Sequence, residues 1–143
     1  MQIHANILET LGNTPLVRLG RFFPGPATLA AKVEYFNPGS SVKDRIGVAM
    51  IEAAERAGKL RPGGTIVEPT SGNTGVGLAM AAAIKGYRLI CVTADKVPPE
   101  KVALLEAYGA RVITCPYDVP PEDPRSYYRV AERIRDEEGA FLP

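Results

Sequence analysis

The amino-acid sequence predicts an α/β fold, a three-layer arrangement in which helices flank a parallel sheet. From residue 65 onward, short apolar runs alternate with helical segments that end at glycine. Such alternation with short links is typical of a parallel sheet covered by helices. The run RLICVT (88–93) is apolar on both faces, as expected of a parallel strand buried between two layers. The 143 residues suffice for one domain with a core.

Two extended segments and one helix are predicted before that alternation. The segments are NTPLVRL (13–19) and LAAKVEYF (29–36), and in the second polar and apolar residues alternate with a period of two. A helix is predicted over residues 42–57, because Gly58 follows it as a typical helix terminator. We expect the apolar stripe of this helix to consist of Ile46, Ala49, Met50, Ala53 and Ala57.

The remaining elements follow from the same signals. Helices are predicted to begin at polar or proline residues and to end at Gly86 and Gly109. The predicted order is strand 65–69, helix 73–86, strand 88–93, helix 98–109, strand 111–115 and a charged helix near 125–138. The final residues, GAFLP, look like the beginning of another strand or loop.

Composition argues against several classes of partner. The formal net charge is +1, which gives no electrostatic reason to expect nucleic acid or a membrane surface as partner. No stretch approaches the roughly 20 apolar residues of a membrane span, and no signal peptide is visible. Cys91 and Cys115 lie in apolar runs, so we expect buried free thiols and a reducing cytoplasm. We assign no metal site.

One lysine occupies an unusual position. The segment FNPGSSVKDRIG (36–47) places Lys43 in the first turn of the predicted helix, where the helix dipole disfavours a cation. Either Lys43 is an ordinary solvated side chain, as most lysines at helix starts are, or its amine is needed in the uncharged form. The segment alone leaves both interpretations open.

A second polar segment, PTSGNTG (69–75), lies between a predicted strand and a predicted helix. Its hydroxyls, amide and flexible backbone come from Thr70, Ser71, Gly72, Asn73 and Thr74. Ligands of open α/β sheets bind beyond the carboxyl ends of strands, and helix N termini favour anions. The segment therefore predicts a carboxylate cradle, although the same residues also cap ordinary helices. It lacks the Gly-Lys-Ser/Thr ending of a nucleotide P-loop.

Taken together, the two segments carry a family resemblance. NPGSSVKDR and EPTSGNTG, roughly thirty residues apart, resemble pyridoxal-phosphate enzymes of the tryptophan synthase β-subunit fold type. More narrowly they resemble the cysteine synthase and cystathionine β-synthase family, and ILETLGNTPLVRL is similar to its N-terminal signature. The resemblance runs from about residue 7 to the end of the sequence. Threonine synthases and dehydratases usually have a GSFKxRG-like motif, which SSVKDRIG does not match well.

Within this family the sequence looks most like bacterial cystathionine β-synthases. Cysteine synthases typically have an MSxER-like segment where this chain has VPPEK, and a glycine-rich stretch where it has PYDVPPEDPRSYY. The resemblance implies a pyridoxal-phosphate-dependent lyase or β-replacement enzyme that condenses serine or an activated serine with homocysteine to give cystathionine. It also implies a homodimer. A cysteine synthase using O-acetylserine and sulfide is the alternative. A non-catalytic α/β binding module is the second alternative.

The resemblance also implies roles for individual residues. Lys43 matches the lysine that links covalently to the aldehyde of pyridoxal 5'-phosphate and later acts as a base, which requires an uncharged amine. Asn73 matches the asparagine that binds the ring hydroxyl of the cofactor. The substrate α-carboxylate is implied to bind Thr70, Ser71, Gly72 and Thr74. The neighbouring Tyr127 and Tyr128 are expected to pack rather than to contact substrate.

Members of this family are normally at least twice as long as this chain. The loop that binds the cofactor phosphate and the residue that meets the pyridine nitrogen have no counterpart in the sequence. We therefore expect an N-terminal portion of a longer enzyme. Residues 1–40 would be an arm of the large cofactor domain, and residues 41–143 the small α/β domain that carries the Lys43 helix and the 70–75 loop. With the C-terminal half of the large domain absent, the isolated chain is expected to be inactive.

Overall fold

The computed structural model describes residues 1–22 and 24–143. The strands are β1 (Leu16–Arg18), β2 (Ala30–Lys32), β3 (Thr65–Pro69), β4 (Arg88–Ala94) and β5 (Arg111–Cys115). The α-helices are α1 (Lys43–Arg56), α2 (Asn73–Lys85), α3 (Pro99–Ala107) and α4 (Tyr127–Glu138), and short 3₁₀ helices cover Ile7–Thr10 and Glu34–Phe36. From β3 onward each predicted element is present, and its observed ends differ from the predicted ends by at most two residues.

The predicted three-layer architecture is confirmed. Strands β3, β4 and β5 form a parallel sheet in that order. One face of the sheet packs against α1, α2 and α3 around Ile51, Leu78 and Cys91. The other face packs against α4 around Val92 and Ile134. Strand β4 is buried from its second residue to its last, because it lies at the centre of the sheet with helices on both sides.

The end of the chain adds to this sheet. Phe141 pairs in parallel with Ile66 of β3. Its backbone N–H donates to the carbonyl of Thr65 at 2.8 Å, and its own carbonyl accepts from Val67 at 2.9 Å. The prediction of a further strand or loop at GAFLP is thus confirmed. Within residues 1–22 and 24–143, no helix is long and apolar enough to cross a membrane. Both cysteines are free and buried, as predicted.

The N-terminal region departs from the prediction. Strands β1 and β2 pair antiparallel in a separate two-stranded sheet, but the predicted strand 29–36 ends at Lys32 and is followed by the Glu34–Phe36 3₁₀ turn. The buried side chain of Asn37 donates to the backbone carbonyl of Glu34 at 2.8 Å and to its carboxylate at 2.9 Å. These hydrogen bonds stabilise the turn. The strand is predicted from the alternation of polar and apolar residues, and that pattern gives no information about such bonds.

The predicted apolar stripe of α1 is also wrong. Four of its five residues are exposed and Met50 is half-buried. The buried residues of α1 are instead Asp44, Gly47, Ile51 and Ala54. The buried face of α1 is the face that contacts α2. It contains a glycine, Gly47, and a carboxylate, Asp44, so the hydrophobicity of the side chains does not identify it.

Two glycines allow α1 and α2 to approach closely. A methyl group at Gly47 would lie 2.5 Å from the carbonyl carbon of Gly77. A methyl group at Gly77 would lie 2.7 Å from the carbonyl oxygen of Lys43 and 3.1 Å from the Cα of Asp44. The backbone of Lys43 therefore rests directly on α2, and the position of the lysine depends on this contact.

Substitution of Gly77 by alanine tests this packing. Alanine raises helix propensity by about 1 kcal/mol, but the added methyl group must push α1 away from α2, and overpacking of this kind costs about 1–3 kcal/mol. We expect Gly77→Ala to lower the free energy of unfolding, measured by urea denaturation. Ala83→Gly, on the exposed side of α2, is the matched control for propensity. A Gly77→Ala protein more stable than the wild type would contradict the close contact.

Candidate active site

The turn between β3 and α2 is held at both of its ends. The N–H of Thr70 donates to the carbonyl of Val92 at 2.9 Å, which ties the turn to the end of β4. The buried Thr70 hydroxyl accepts from the N–H of Gly72 at 3.3 Å, and a methyl group at Gly75 would lie 2.7 Å from the Thr70 side chain. Helix α2 starts after Gly72 with no side-chain cap and no acidic residue in its first turn. Its positive end is therefore open to an anion.

A cleft lies between this turn and the start of α1. It has a volume of about 520 Å³ and is also bordered by Tyr127 and Tyr128. We call it the candidate cleft. All of the predicted site residues line it, namely Lys43, Thr70, Ser71, Gly72, Asn73 and Thr74. The structure thus brings Lys43 and the 70–74 turn to one cavity, and the individual roles of these residues stay predictions.

The loop before Lys43 is fixed by buried and partly buried polar contacts. Asn37 is only 2% exposed; its side chain accepts from the N–H of Gly12 at 3.0 Å and donates to the carbonyl of Ser41 at 3.1 Å. The hydroxyl of Ser41 in turn accepts from the N–H of Lys43 at 3.0 Å. Asp44, which is fully buried, accepts from the N–H of Gly39 at 2.6 Å. These contacts determine where α1 begins.

Arg45 connects this loop to the N-terminal region. Its Nε lies 2.8 Å and its Nη2 lies 3.1 Å from the two carboxylate oxygens of Glu34. The hydroxyl of Thr14 donates to the same carboxylate at 2.7 Å. Hydrogen bonds from Arg45 and Thr14 lower the pKa of Glu34 to about 2. Asp44 and Arg45, which follow Lys43, are thus bonded to the preceding loop and to the N-terminal region.

The sequence did not single out Glu68, which also lines the candidate cleft. Burial raises the pKa of Glu68 to about 7. Its neighbour across the sheet is Cys91, and burial together with the charge of Glu68 raises the pKa of this thiol to about 12. The sequence offers one signal for Glu68, its location directly before PTSGNTG. A charged residue near the end of a strand is usually exposed, so the sequence does not indicate that Glu68 is buried.

The tyrosine pair differs in part from expectation. The ring centroids of Tyr127 and Tyr128 lie 4.1 Å apart, and Tyr127 packs against the core on the α4 side of the sheet. Both residues nevertheless border the candidate cleft, and Tyr128 is 44% exposed. The pair therefore forms a wall of the cavity as well as packing.

Comparison with known proteins identifies the family. The family described as "Pyridoxal-phosphate dependent enzyme" matches residues 7–143. The chain belongs to this family. It is 52% identical over 139 residues to a cystathionine beta-synthase from Oryctolagus cuniculus, covering 95% of this chain and 25% of the relative. It is 45% identical over 139 residues to a cysteine synthase from Staphylococcus aureus (strain Mu50 / ATCC 700699), covering 96% of this chain and 44% of the relative.

Solved structures of similar proteins have the same fold over the length of this chain. The crystal structure of O-ureido-L-serine synthase superimposes with a TM-score of 0.89 at 40% identity, covering 99% of this chain and 44% of that one. A hydrogen sulfide-producing enzyme from Fusobacterium nucleatum gives a TM-score of 0.88 at 35% identity, covering 100% of this chain and 46% of that one. The chain therefore spans between a quarter and a half of the length of these relatives. The predicted family, fold class and cofactor dependence of the family are confirmed.

The residues that border the candidate cleft fit part of a pyridoxal-phosphate site. A primary amine at Lys43 suits the cofactor aldehyde, and an amide at Asn73 suits a ring hydroxyl. The uncapped start of α2 suits a carboxylate. Within the described ranges, no group of three or more histidine, cysteine or acidic side chains is arranged to hold a metal ion.

The Asn37 contacts are tested by an isosteric change. Asn37→Asp replaces a buried NH₂ donor by an oxygen next to the carboxylate of Glu34, so we expect the free energy of unfolding at pH 7 to fall by about 2–3 kcal/mol. Asn6→Asp is the matched control, because the Asn6 side chain only accepts a hydrogen bond from Leu8 at a helix N-cap. There we expect a change within about 0.5 kcal/mol. Equal effects of the two variants in urea denaturation would refute the role of Asn37.

Proposed function

We propose that this chain forms part of the active site of a pyridoxal-phosphate-dependent β-replacement enzyme. The reaction condenses serine, or an activated serine, with homocysteine to give cystathionine. The observation that supports the proposal is that Lys43 and the Thr70–Thr74 turn border one cleft of about 520 Å³. The 52% identity to a cystathionine beta-synthase supports the choice of reaction.

Lys43 and Asn73 are proposed to hold the cofactor. The amine of Lys43 would join the cofactor aldehyde, and the amide of Asn73 would bind the ring hydroxyl. When bound, the cofactor supplies an electron sink for the charge left at the substrate α-carbon. The rigid start of α1, fixed by Ser41 and Asp44, limits the region that the Lys43 amine reaches.

The turn is proposed to bind the substrate carboxylate. Thr70, Ser71 and Thr74 contribute hydroxyl groups, and Gly72 leaves the approach free of a side chain, since a methyl group there would meet nothing within 4 Å. The positive end of α2 adds a favourable field for the anion. Binding the carboxylate at this point orients the α-carbon for proton transfer.

Lys43 is proposed to move the proton. Its free Nζ would remove the proton from the substrate α-carbon, and the β-substituent would leave with its bonding electrons. The thiol would lose its proton as its sulfur forms the new bond at the β-carbon, and with serine as substrate that proton would go to the departing hydroxide, which leaves as water. Lys43 then returns the proton to the α-carbon, so that the amine is regenerated.

Two other functions are the alternatives. The 45% identity to a cysteine synthase favours O-acetylserine and sulfide as alternative substrates. A non-catalytic α/β binding module is the remaining alternative, because fold alone does not establish activity.

Three further expectations belong to the proposal. We propose that residues 1–40 form an arm distinct from the domain of residues 41–143, which the separate β1–β2 sheet supports. The two buried free thiols support action in a reducing cytoplasm. The homodimer expected from the family resemblance stays a prediction.

Product analysis tests the proposed reaction. The protein expressed from its complete reading frame and loaded with pyridoxal phosphate is supplied with serine plus homocysteine, or with O-acetylserine plus sulfide. We expect cystathionine to form faster than cysteine. Lys43→Ala should lower the rate by about 10³-fold, because the acid–base group is lost. Lys59→Ala, at an exposed lysine that does not border the candidate cleft, is the control.

The other outcomes separate the alternatives. Faster cysteine formation would favour the cysteine synthase. Absence of turnover with both substrate pairs, in a protein that unfolds cooperatively, would reject catalysis.

A further inference from the structure

A second cavity adjoins the candidate cleft. It has a volume of about 280 Å³ and shares Ser71, Tyr127 and Tyr128 with the candidate cleft. Its other walls include Lys96, which follows β4, and Tyr117, which follows β5. We call it the side cavity. Both cavities lie at the carboxyl edge of the parallel sheet, where open α/β sheets bind their ligands.

The side cavity contains one cationic side chain among the described residues that line it, Lys96. Its ammonium lies 4.7 Å from the centroid of the Tyr117 ring. None of the ion pairs formed by the described residues includes Lys96. The positive charge is thus held over an aromatic face and stays available to a ligand anion.

The walls of the side cavity are fixed by the fold. Asp95 accepts a hydrogen bond from the N–H of Tyr117 at 3.2 Å and donates its own N–H to the carbonyl of Cys115 at 2.8 Å. On the opposite side, the hydroxyl of Ser126, which is 1% exposed, donates to the carbonyl of Pro121 at 2.7 Å. The cavity is therefore formed before a ligand arrives, as small-molecule sites usually are.

We propose that the side cavity binds the second substrate, a thiol that carries its own carboxylate, and that Lys96 pairs with this carboxylate. The inference rests on the proposed function and specifies where its thiol substrate binds. The uncapped turn at Thr70–Thr74 offers one anion site, which the first substrate occupies. A second amino acid brings a second carboxylate, and this needs a separate cation. The shared wall of Ser71, Tyr127 and Tyr128 leaves the two ligands adjacent.

Sulfide has no carboxylate, whereas homocysteine has one, and this difference gives the test. Lys96→Met removes the charge and keeps most of the length of the side chain, whereas Lys96→Arg keeps the charge. With the pyridoxal-phosphate-loaded protein from the complete reading frame, we expect Lys96→Met to raise the KM for homocysteine about tenfold with kcat nearly unchanged, as loss of one charged hydrogen bond predicts. The KM for sulfide should change less than about twofold. Lys96→Arg should restore most of the affinity for homocysteine.

Direct binding supplies a readout that does not depend on turnover. Isothermal titration compares homocysteine with 3-amino-1-propanethiol, the same thiol without its carboxylate. We expect Lys96→Met to weaken binding of homocysteine and to leave the decarboxylated thiol unaffected. Lys59→Met, at a lysine that borders neither cavity, is the control.

The outcomes distinguish this inference from the proposed function. If Lys96→Met weakens binding of homocysteine and of 3-amino-1-propanethiol equally, or leaves binding of homocysteine unchanged, the proposed role of Lys96 is wrong even if cystathionine is formed. If the wild-type protein turns over no thiol, the proposed function fails, and the titration with homocysteine then decides whether the carboxylate site exists.

Discussion

The contact between α1 and α2 is the constraint on which the candidate site depends. Gly47 and Gly77 lie at the crossing, and the missing side chain of Gly77 lets the carbonyl of Lys43 lie against α2. The same helix begins at the Thr70–Thr74 turn. Lys43 and the Thr70–Thr74 turn therefore belong to one packed pair of helices, and the separation of their backbones is set by direct contact between the helices. The buried alanines of α2 contribute, because small side chains allow close approach to the sheet and to α1.

A partly buried polar cluster completes this arrangement. Asn37, Glu34 and Arg45 connect the N-terminal region to the first turn of α1, and the carboxylate of Asp44 closes the loop between them. Asp44 is fully buried, its Oδ1 has no hydrogen-bond partner among the described residues, and burial raises its pKa. A buried, incompletely paired carboxyl group is unfavourable for stability. Its location next to Lys43 indicates that stability is given up to fix the position of the lysine.

The sequence predicted the sheet region well, for identifiable reasons, and the candidate site residues that it singled out border one cleft. The strands from β3 onward are apolar runs bounded by glycine and proline, and both polar segments follow local rules for helix starts and turns. Other features arise from contacts between distant residues. The 3₁₀ turn at Glu34 depends on Asn37, the buried face of α1 depends on Gly77 of another helix, and the unusual pKa of Glu68 depends on burial that no local pattern encodes. The side cavity likewise arises where the ends of β4 and β5 meet α4.

The central claim is that the fold presents the amine of Lys43, rather than that of another lysine, to the cofactor aldehyde. Reduction of the pyridoxal-phosphate-loaded protein with borohydride converts the link between amine and aldehyde into a stable secondary amine, and peptide mapping then locates it. We expect a single modified peptide that contains Lys43, and we expect this modification to be lost in the Lys43→Ala protein. Modification at Lys32, Lys96 or any other lysine, with Lys43 unmodified, would contradict it.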